Sequence, residues 1–234
     1  MQNSSLLFQS FTFGLVLFAL LTVHQAQAGG IALGATRVIY SAEANQASLS
    51  IINSDENNRF LIQSWVEDKD GNKTKDFLAT PPLFVVKPKG ENTLRLMYVG
   101  TPLPTDRESV YWVNVKAIPA VEKRSLEDKN ALQLAVLSRI KLFVRPANLP
   151  SGADSAPATL RFQQSGSALT ITNPSPYFIT LVNLQSGSQK LPNTMVPPKG
   201  STSLTLSGGA PGAVSFQTIN DYGAMTPRVT GKGL

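Results

Sequence analysis

Beyond residue 30 most of the chain consists of short runs in which apolar and polar residues alternate, separated at regular spacing by breaks rich in proline, glycine and asparagine. Alternation with a period of two marks strands with one buried face. Many such strands with few helical stretches predict an all-β sandwich. Residues 47–53 place Leu49 and Ile51 on one face, and residues 60–66 follow with Trp65 as the expected core anchor. Asp70-Gly71 predicts a hairpin turn between that strand and the next. Residues 93–99 set Leu94, Leu96 and Tyr98 against Thr93, Arg95 and Met97, and residues 110–115 add an aromatic-rich strand. Pro81-Pro82, Pro102 and Pro104 fall in the connections, as expected of a residue that cannot donate to a central ladder.

Residues 131–145 are unusual. The even positions read Leu132, Leu134, Val136, Ser138, Ile140, Leu142 and Val144, all apolar but the serine. The odd positions mix Gln133, Arg139, Lys141 and Arg145 with Ala131, Ala135, Leu137 and Phe143. A helix would also bring Leu132, Ala135, Val136, Ile140 and Phe143 near one face, but the β-branched content and the lack of a cap favour a strand. Such a strand is much longer than the usual five or six residues, so part of it is expected to project beyond its own sheet. An extended apolar edge is an aggregation hazard unless something covers it. Arg145-Pro146-Ala147-Asn148-Leu149-Pro150-Ser151-Gly152 then reads as a linker. Strand patterns at residues 160–162, 169–172, 177–184, 203–206 and 214–219 predict a second, smaller sandwich, with Asn173-Pro174-Ser175-Pro176 and Val196-Pro197-Pro198-Lys199-Gly200 as turns.

Composition narrows the chemistry. The 234 residues contain no cysteine and one histidine, His24. The first 28 residues carry no Lys, Arg, Asp or Glu, are almost wholly apolar from Phe11 to Val23, and end in Ala26-Gln27-Ala28 ahead of Gly29. That is the pattern of a cleaved secretory signal, although its leading region lacks the usual basic residues. The apolar run is shorter than the roughly 20 residues of a membrane span. The mature chain would therefore have neither thiol nor imidazole, which excludes Ser-His-Asp and Cys-His nucleophiles, zinc sites and histidine switching. There is no acidic run with calcium-loop spacing. A Ser-Lys hydrolase fails on geometry, because Ser138 and Lys141, three apart on a strand, face opposite sides. No catalytic residue, metal or cofactor is expected. The net charge of +6 comes from scattered residues instead of a basic stripe, which suits an acidic protein partner or a carboxylate better than nucleic acid.

Six segments together carry a family resemblance: Gly34-Ala35-Thr36-Arg37-Val38-Ile39-Tyr40; Thr80-Pro81-Pro82-Leu83-Phe84; Asp106-Arg107-Glu108-Ser109; Val113-Asn114-Val115-Lys116-Ala117-Ile118-Pro119; Arg139-Ile140-Lys141-Leu142-Phe143-Val144-Arg145-Pro146; and Thr218-Ile219-Asn220-Asp221-Tyr222-Gly223. Over essentially the whole mature chain the sequence resembles the periplasmic pilus chaperones of the chaperone/usher pathway, the PapD type. The resemblance implies two immunoglobulin-like β-sandwich domains arranged in an L: a signal peptide at 1–28, an N-terminal domain with a donor strand at 29–147, and a C-terminal domain at 152–234. It implies pilus subunits and the outer-membrane usher as partners, by donor-strand complementation, in which the chaperone supplies the strand an incomplete subunit lacks. Residue by residue it assigns Leu132, Leu134 and Val136 to the inserted side chains, and Arg37 and Lys141 to an anchor for the subunit's C-terminal carboxylate. Glu108, Arg145 and Asp221 match an interdomain charge network, and Leu61 and Leu83 resemble the usher-facing surface. The short connection at 120–130 and the absence of cysteine resemble the short-loop branch. Self-association of the unliganded protein through the exposed strand is left open. The alternative of a structural fimbrial subunit or adhesin shares export and sandwiches, but predicts incorporation into fibres.

Overall fold

The first strand changes sheets. In the computed structural model, which describes residues 29–120, 134–150, 152–207 and 212–231, β1 (Ile31–Leu33) pairs antiparallel with β3 (Ala47–Asn53), whereas β2 (Arg37–Ser41) lies parallel to β9 (Val136–Arg145) in the facing sheet. Gly34 makes the crossing possible. Its amide donates to the Ser50 carbonyl at 2.9 Å, and a Cβ there would stand 2.9 Å from the Ser50 Cβ, closer than real Cβ contacts allow. The predicted signal at 1–28, Leu132 and most of the 120–130 connection lie outside the described residues.

The two sheets of the first sandwich run β1-β3-β7-β5, with β7 Glu91–Tyr98 and β5 Phe77–Thr80, and β2-β9-β8-β4-β6, with β8 Ser109–Pro119, β4 Phe60–Glu67 and β6 Leu83–Val86. Leu49, Ile51, Leu94 and Leu96 of one inner face meet Ile62, Val66, Val113, Val115, Leu142 and Val144 of the other in one buried core. Burial of each such side chain is worth about 1.5 to 3 kcal/mol.

A separate core holds the second sandwich. Leu169 and Ile171 of β11 (Ala168–Asn173) face Ile179, Leu181 and Leu184 of β12 (Ile179–Ser186) and Val214 and Phe216 of β16 (Val214–Thr218). One sheet runs β10-β11-β15, with β10 Arg161–Ser165 and β15 Gly200–Thr205. The other runs β13-β12-β16-β17, with β14 also on β12. The short strands β13 (Gln189–Lys190), β14 (Thr194–Val196) and β17 (Val229–Thr230), and a 3-10 helix at Ala153–Thr159, were not foreseen, being too brief to show a period. Asn173 secures both proline turns: its amide donates to Tyr177 O at 2.7 Å and Pro197 O at 3.0 Å, fully buried.

Two expectations are corrected. Trp65 is not a core anchor: Ile62, Ser64 and Val66 turn inward, so Trp65 falls on the outer face, half-buried, with its indole N–H donating to Glu67 Oε1 at 2.9 Å. Ser64 takes an inward position because its hydroxyl reaches Pro81 O at 3.1 Å, so the small polar residue is satisfied there. Nor do β4 and β5 form a hairpin. Asp70 and Gly71, the latter at φ +87°, do make a turn, but Asp68 ties it through the amides of Asp70 and Asn72, and β5 then crosses to β7. A single Glu67–Lys73 bridge is what remains of the expected pairing.

Candidate functional site

The strand switch at Gly34 leaves an edge open. β9 has β8 beside it from Val136 to Val144, but β2 begins only at Arg37, opposite Lys141, and covers Lys141 to Arg145. Among the described residues, Val136 to Ile140 thus carry a sheet partner on one side alone. The inward face of β9 passes from the buried Leu142 and Val144 through the half-buried Ile140 to Val136, 62% exposed, and Leu134, just ahead of the strand, is 67% exposed. A row of side chains, apolar but for Ser138, runs out of the core into water along an edge that lacks a second strand among the described residues, as its length and pattern predicted.

Where the open edge ends, two cations stand side by side. Arg37 and Lys141 are register partners on adjacent parallel strands, so both side chains leave the same face. Arg37 Nη1 donates to Ile219 O at 3.1 Å, its Cζ lies 5.9 Å from the Phe143 ring centroid, and its buried Nε has no hydrogen-bond partner. Lys141 Nζ donates to Thr180 Oγ1 at 2.8 Å. Among the described residues neither forms an ion pair within 4.0 Å. Burial, and then the charge of Arg37, lower the Lys141 ammonium to about 8. Burial likewise lowers Arg37, partly offset by Asp221 and Glu108. A carboxylate brought here would relieve both groups and satisfy the orphan N–H. Arg37 also lines a cavity of about 300 Å3 with Phe143, Phe178, Ile219 and Tyr222.

A second constellation ties the two cores together. Arg145, ending β9, donates from Nε to Glu108 Oε1 at 2.7 Å and from Nη1 and Nη2 to the two carboxylate oxygens of Asp221 at 2.6 and 2.8 Å. Glu108 also accepts the Phe178 amide at 2.7 Å, and its own amide donates to Pro176 O at 2.9 Å. The Asn173-braced turn therefore delivers the groups that Glu108 meets, and Tyr177 places its ring 5.1 Å from the Arg145 Cζ. Burial pushes the Glu108 carboxyl up, with Arg145 and the Phe178 amide opposing. Arg145 is held above its ordinary range by Asp221 and Glu108 despite its burial.

Leu61 and Leu83 are outside the core. The inward phase of Ile62, Ser64 and Val66 turns Leu61 outward, half-buried, and Leu83 on the neighbouring strand β6 is 58% exposed. Val85, the register partner of Leu61, is exposed beside them. Sequence reasoning named all of these except Val85. It missed Thr180, which holds Lys141, and the Phe143–Phe178 contact at 5.6 Å, neither of which carries a local signal. Among the described residues no group of three or more His, Cys, Asp or Glu could hold a metal ion, and no helix is long and apolar enough to cross a membrane.

Residues 30–150 match the family model of the pili and flagellar-assembly chaperone PapD N-terminal domain, and residues 155–230 that of the pili assembly chaperone PapD C-terminal domain. The chain is 52% identical over 213 residues to the probable fimbrial chaperone SfmC of Escherichia coli K12, covering 91% of this chain and 93% of that protein. It is 48% identical over 219 residues to the chaperone FimC of the same strain, covering 93% and 90%. Among solved structures it resembles the periplasmic chaperone SfaE, with 46% identity, a TM-score of 0.76 and coverage of 86% of this chain and 99% of that one. It also resembles the Salmonella enterica SafB chaperone in complex with the SafA pilin, with 29% identity, a TM-score of 0.78 and coverage of 88% and 97%.

Proposed function

The chain belongs to the PapD family of pilus-assembly chaperones, and on that premise we propose that it captures pilus subunits by donor-strand complementation and passes them to an outer-membrane usher. The observation that carries the reading is the half-open β9, whose exposed Val136 lies in line with core residues and whose open edge ends at Arg37 and Lys141, neither of them ion-paired among the described residues. A subunit strand entering beside Val136 to Ile140 parallel to β9 occupies, end to end with β2, the ladder position β2 leaves free. Main-chain hydrogen bonds give general affinity, and Leu132, Leu134 and Val136 fill the subunit's groove. At about 1.5 to 3 kcal/mol each, three such side chains contribute roughly 5 to 9 kcal/mol before ordering costs.

Arg37 and Lys141 anchor the subunit's terminal carboxylate. Because that point is also where β2 begins, it fixes the register, and a slip of one residue would turn every side chain to the wrong face. Glu108, Arg145 and Asp221 hold the two domains, assigned to 29–147 and 152–234, at the angle that shapes the anchor. Leu61 and Leu83, with Val85, offer the usher an exposed apolar patch. Residues 1–28 direct the chain to the periplasm and are removed there. The reading assigns no catalytic step, metal or cofactor. The relatives are chaperones, which disfavours the fibre-subunit alternative. The reading is tested by diluting a denatured pilus subunit into a stoichiometric amount of the chain and following light scattering. Suppressed aggregation that is lost in Leu134→Asp supports it, and equal protection by that variant overturns it.

A further inference from the structure

On the face of β9 opposite Val136 and Ser138, within the half that lacks a second strand among the described residues, Arg139 is held by two partners. Its Cζ stacks 4.2 Å from the Trp112 ring centroid on β8, and its Nη2 lies 3.0 Å from Glu67 Oε2 on β4. Glu67, with a side chain only 17% exposed, also accepts the Trp65 indole N–H at 2.9 Å, and that bond leads the effects holding its carboxyl below the usual range. The turn after β4 comes near on another side: a Cβ added at Gly71 would lie 3.4 Å from Arg139 Nη2. Neither the core nor the carboxylate anchor uses these groups.

Their position matters because Lys141 to Val144 are fastened along both edges and Val136 to Ile140 along one. A strand segment with one ladder and exposed apolar side chains opens at low cost. A strand already ordered spares its partner the ordering cost at the moment of binding. We propose that Arg139 is a positioning residue for subunit capture, clamping the half-open segment of β9 onto β8 so that its apolar row is presented as a preformed strand. The proposal rests on the donor-strand reading above.

The test uses the full chain and two probes, a short synthetic peptide with valine at alternate positions and a free C-terminal carboxylate, and the same peptide as its carboxamide. In the free protein, Arg139→Ala is expected to raise hydrogen exchange at the β8-bonded amides between Leu137 and Ile140 about ten-fold, as the loss of a partly desolvated cation–π and ion-pair contact implies. The amides of Leu142 and Val144 keep their protection. Association of the acid peptide slows by a similar factor, with dissociation changing less, while Arg139→Lys, which keeps the ion pair but not the planar stack, falls between. Should Arg139→Ala fail to fold, Arg139→Lys carries the same comparison. Unchanged exchange overturns the proposal, and so does raised exchange with an unchanged association rate. If the carboxamide, or Lys141→Ala with the acid peptide, binds as tightly as the parent pair, the anchor reading beneath the proposal fails, whatever the exchange shows.

Discussion

Removing Arg145 should cost more than removing Asp221, although both belong to the same bidentate pair. The Glu108 side chain is 1% exposed, that of Arg145 22% and that of Asp221 32%. Asp221→Leu deletes two charge-assisted hydrogen bonds from a partly solvated pair and leaves Arg145 bonded to Glu108. Each such bond is worth about 1.5 to 3 kcal/mol in favourable settings, and partial exposure brings the expected loss for the two down to about 2 kcal/mol. Arg145→Met strands Glu108 away from water with only the Phe178 amide, and breaking a buried pair in this way costs roughly 3 to 5 kcal/mol. The Glu108 carboxyl is already raised by burial, and loss of Arg145 raises it further. A carboxyl with a folded pKa above its unfolded value adds stability that is full below the unfolded pKa and is lost as pH rises through the folded one. Arg145→Met should therefore be more stable, relative to wild type, near pH 5 than near pH 7. Urea unfolding of both single variants and the double variant at both pH values gives the costs and the coupling energy. A coupling below about 0.5 kcal/mol, with equal single costs, would mark an ordinary surface ion pair and refute the reasoning.

Capture should weaken as pH rises above about 8, because the free Lys141 ammonium titrates there. Binding a carboxylate above that pH should take up a proton, which calorimetry in buffers of different ionisation enthalpy detects, and Lys141→Met should abolish the uptake. Gly34→Val should destabilise the first domain by about 1 to 3 kcal/mol in denaturant unfolding, since its side chain meets Ser50 at the sheet crossing. Leu83→Asp, on an exposed site, should leave stability within about 0.5 kcal/mol and subunit capture intact while reducing usher binding in a pull-down.

Much of this arrangement was legible because it is written in alternation. The phase of residues 47–53 and 93–99 put Leu49, Ile51, Leu94 and Leu96 inside, and the excess length of the 131–145 pattern signalled an edge that outruns its sheet. Alternation gives phase only where one face is clearly apolar. In residues 60–66 the bulk of Trp65 pointed to the wrong face, because nothing in the sequence reveals that Ser64 finds a carbonyl at Pro81. The sheet switch at Gly34 was likewise hidden, since a close approach to Ser50 is a long-range fact and the glycine alone does not report it. Charges were hardest to place. On their own Arg37, Lys141, Glu108, Arg145 and Asp221 read as solvated ions, and the surrounding motifs suggested otherwise. The partners Thr180, Phe178 and Tyr177 come from the second domain, far along the chain.

The most direct test of donor-strand capture is periplasmic co-expression of the chain with a pilus subunit from a neighbouring operon, followed by purification and native mass measurement, with Lys141→Ala alongside. The account predicts a one-to-one complex with the wild-type chain, and a folded variant that retains no subunit. Retention of the subunit by the variant to the same extent, or recovery of this chain as a component of assembled fibres, would contradict it.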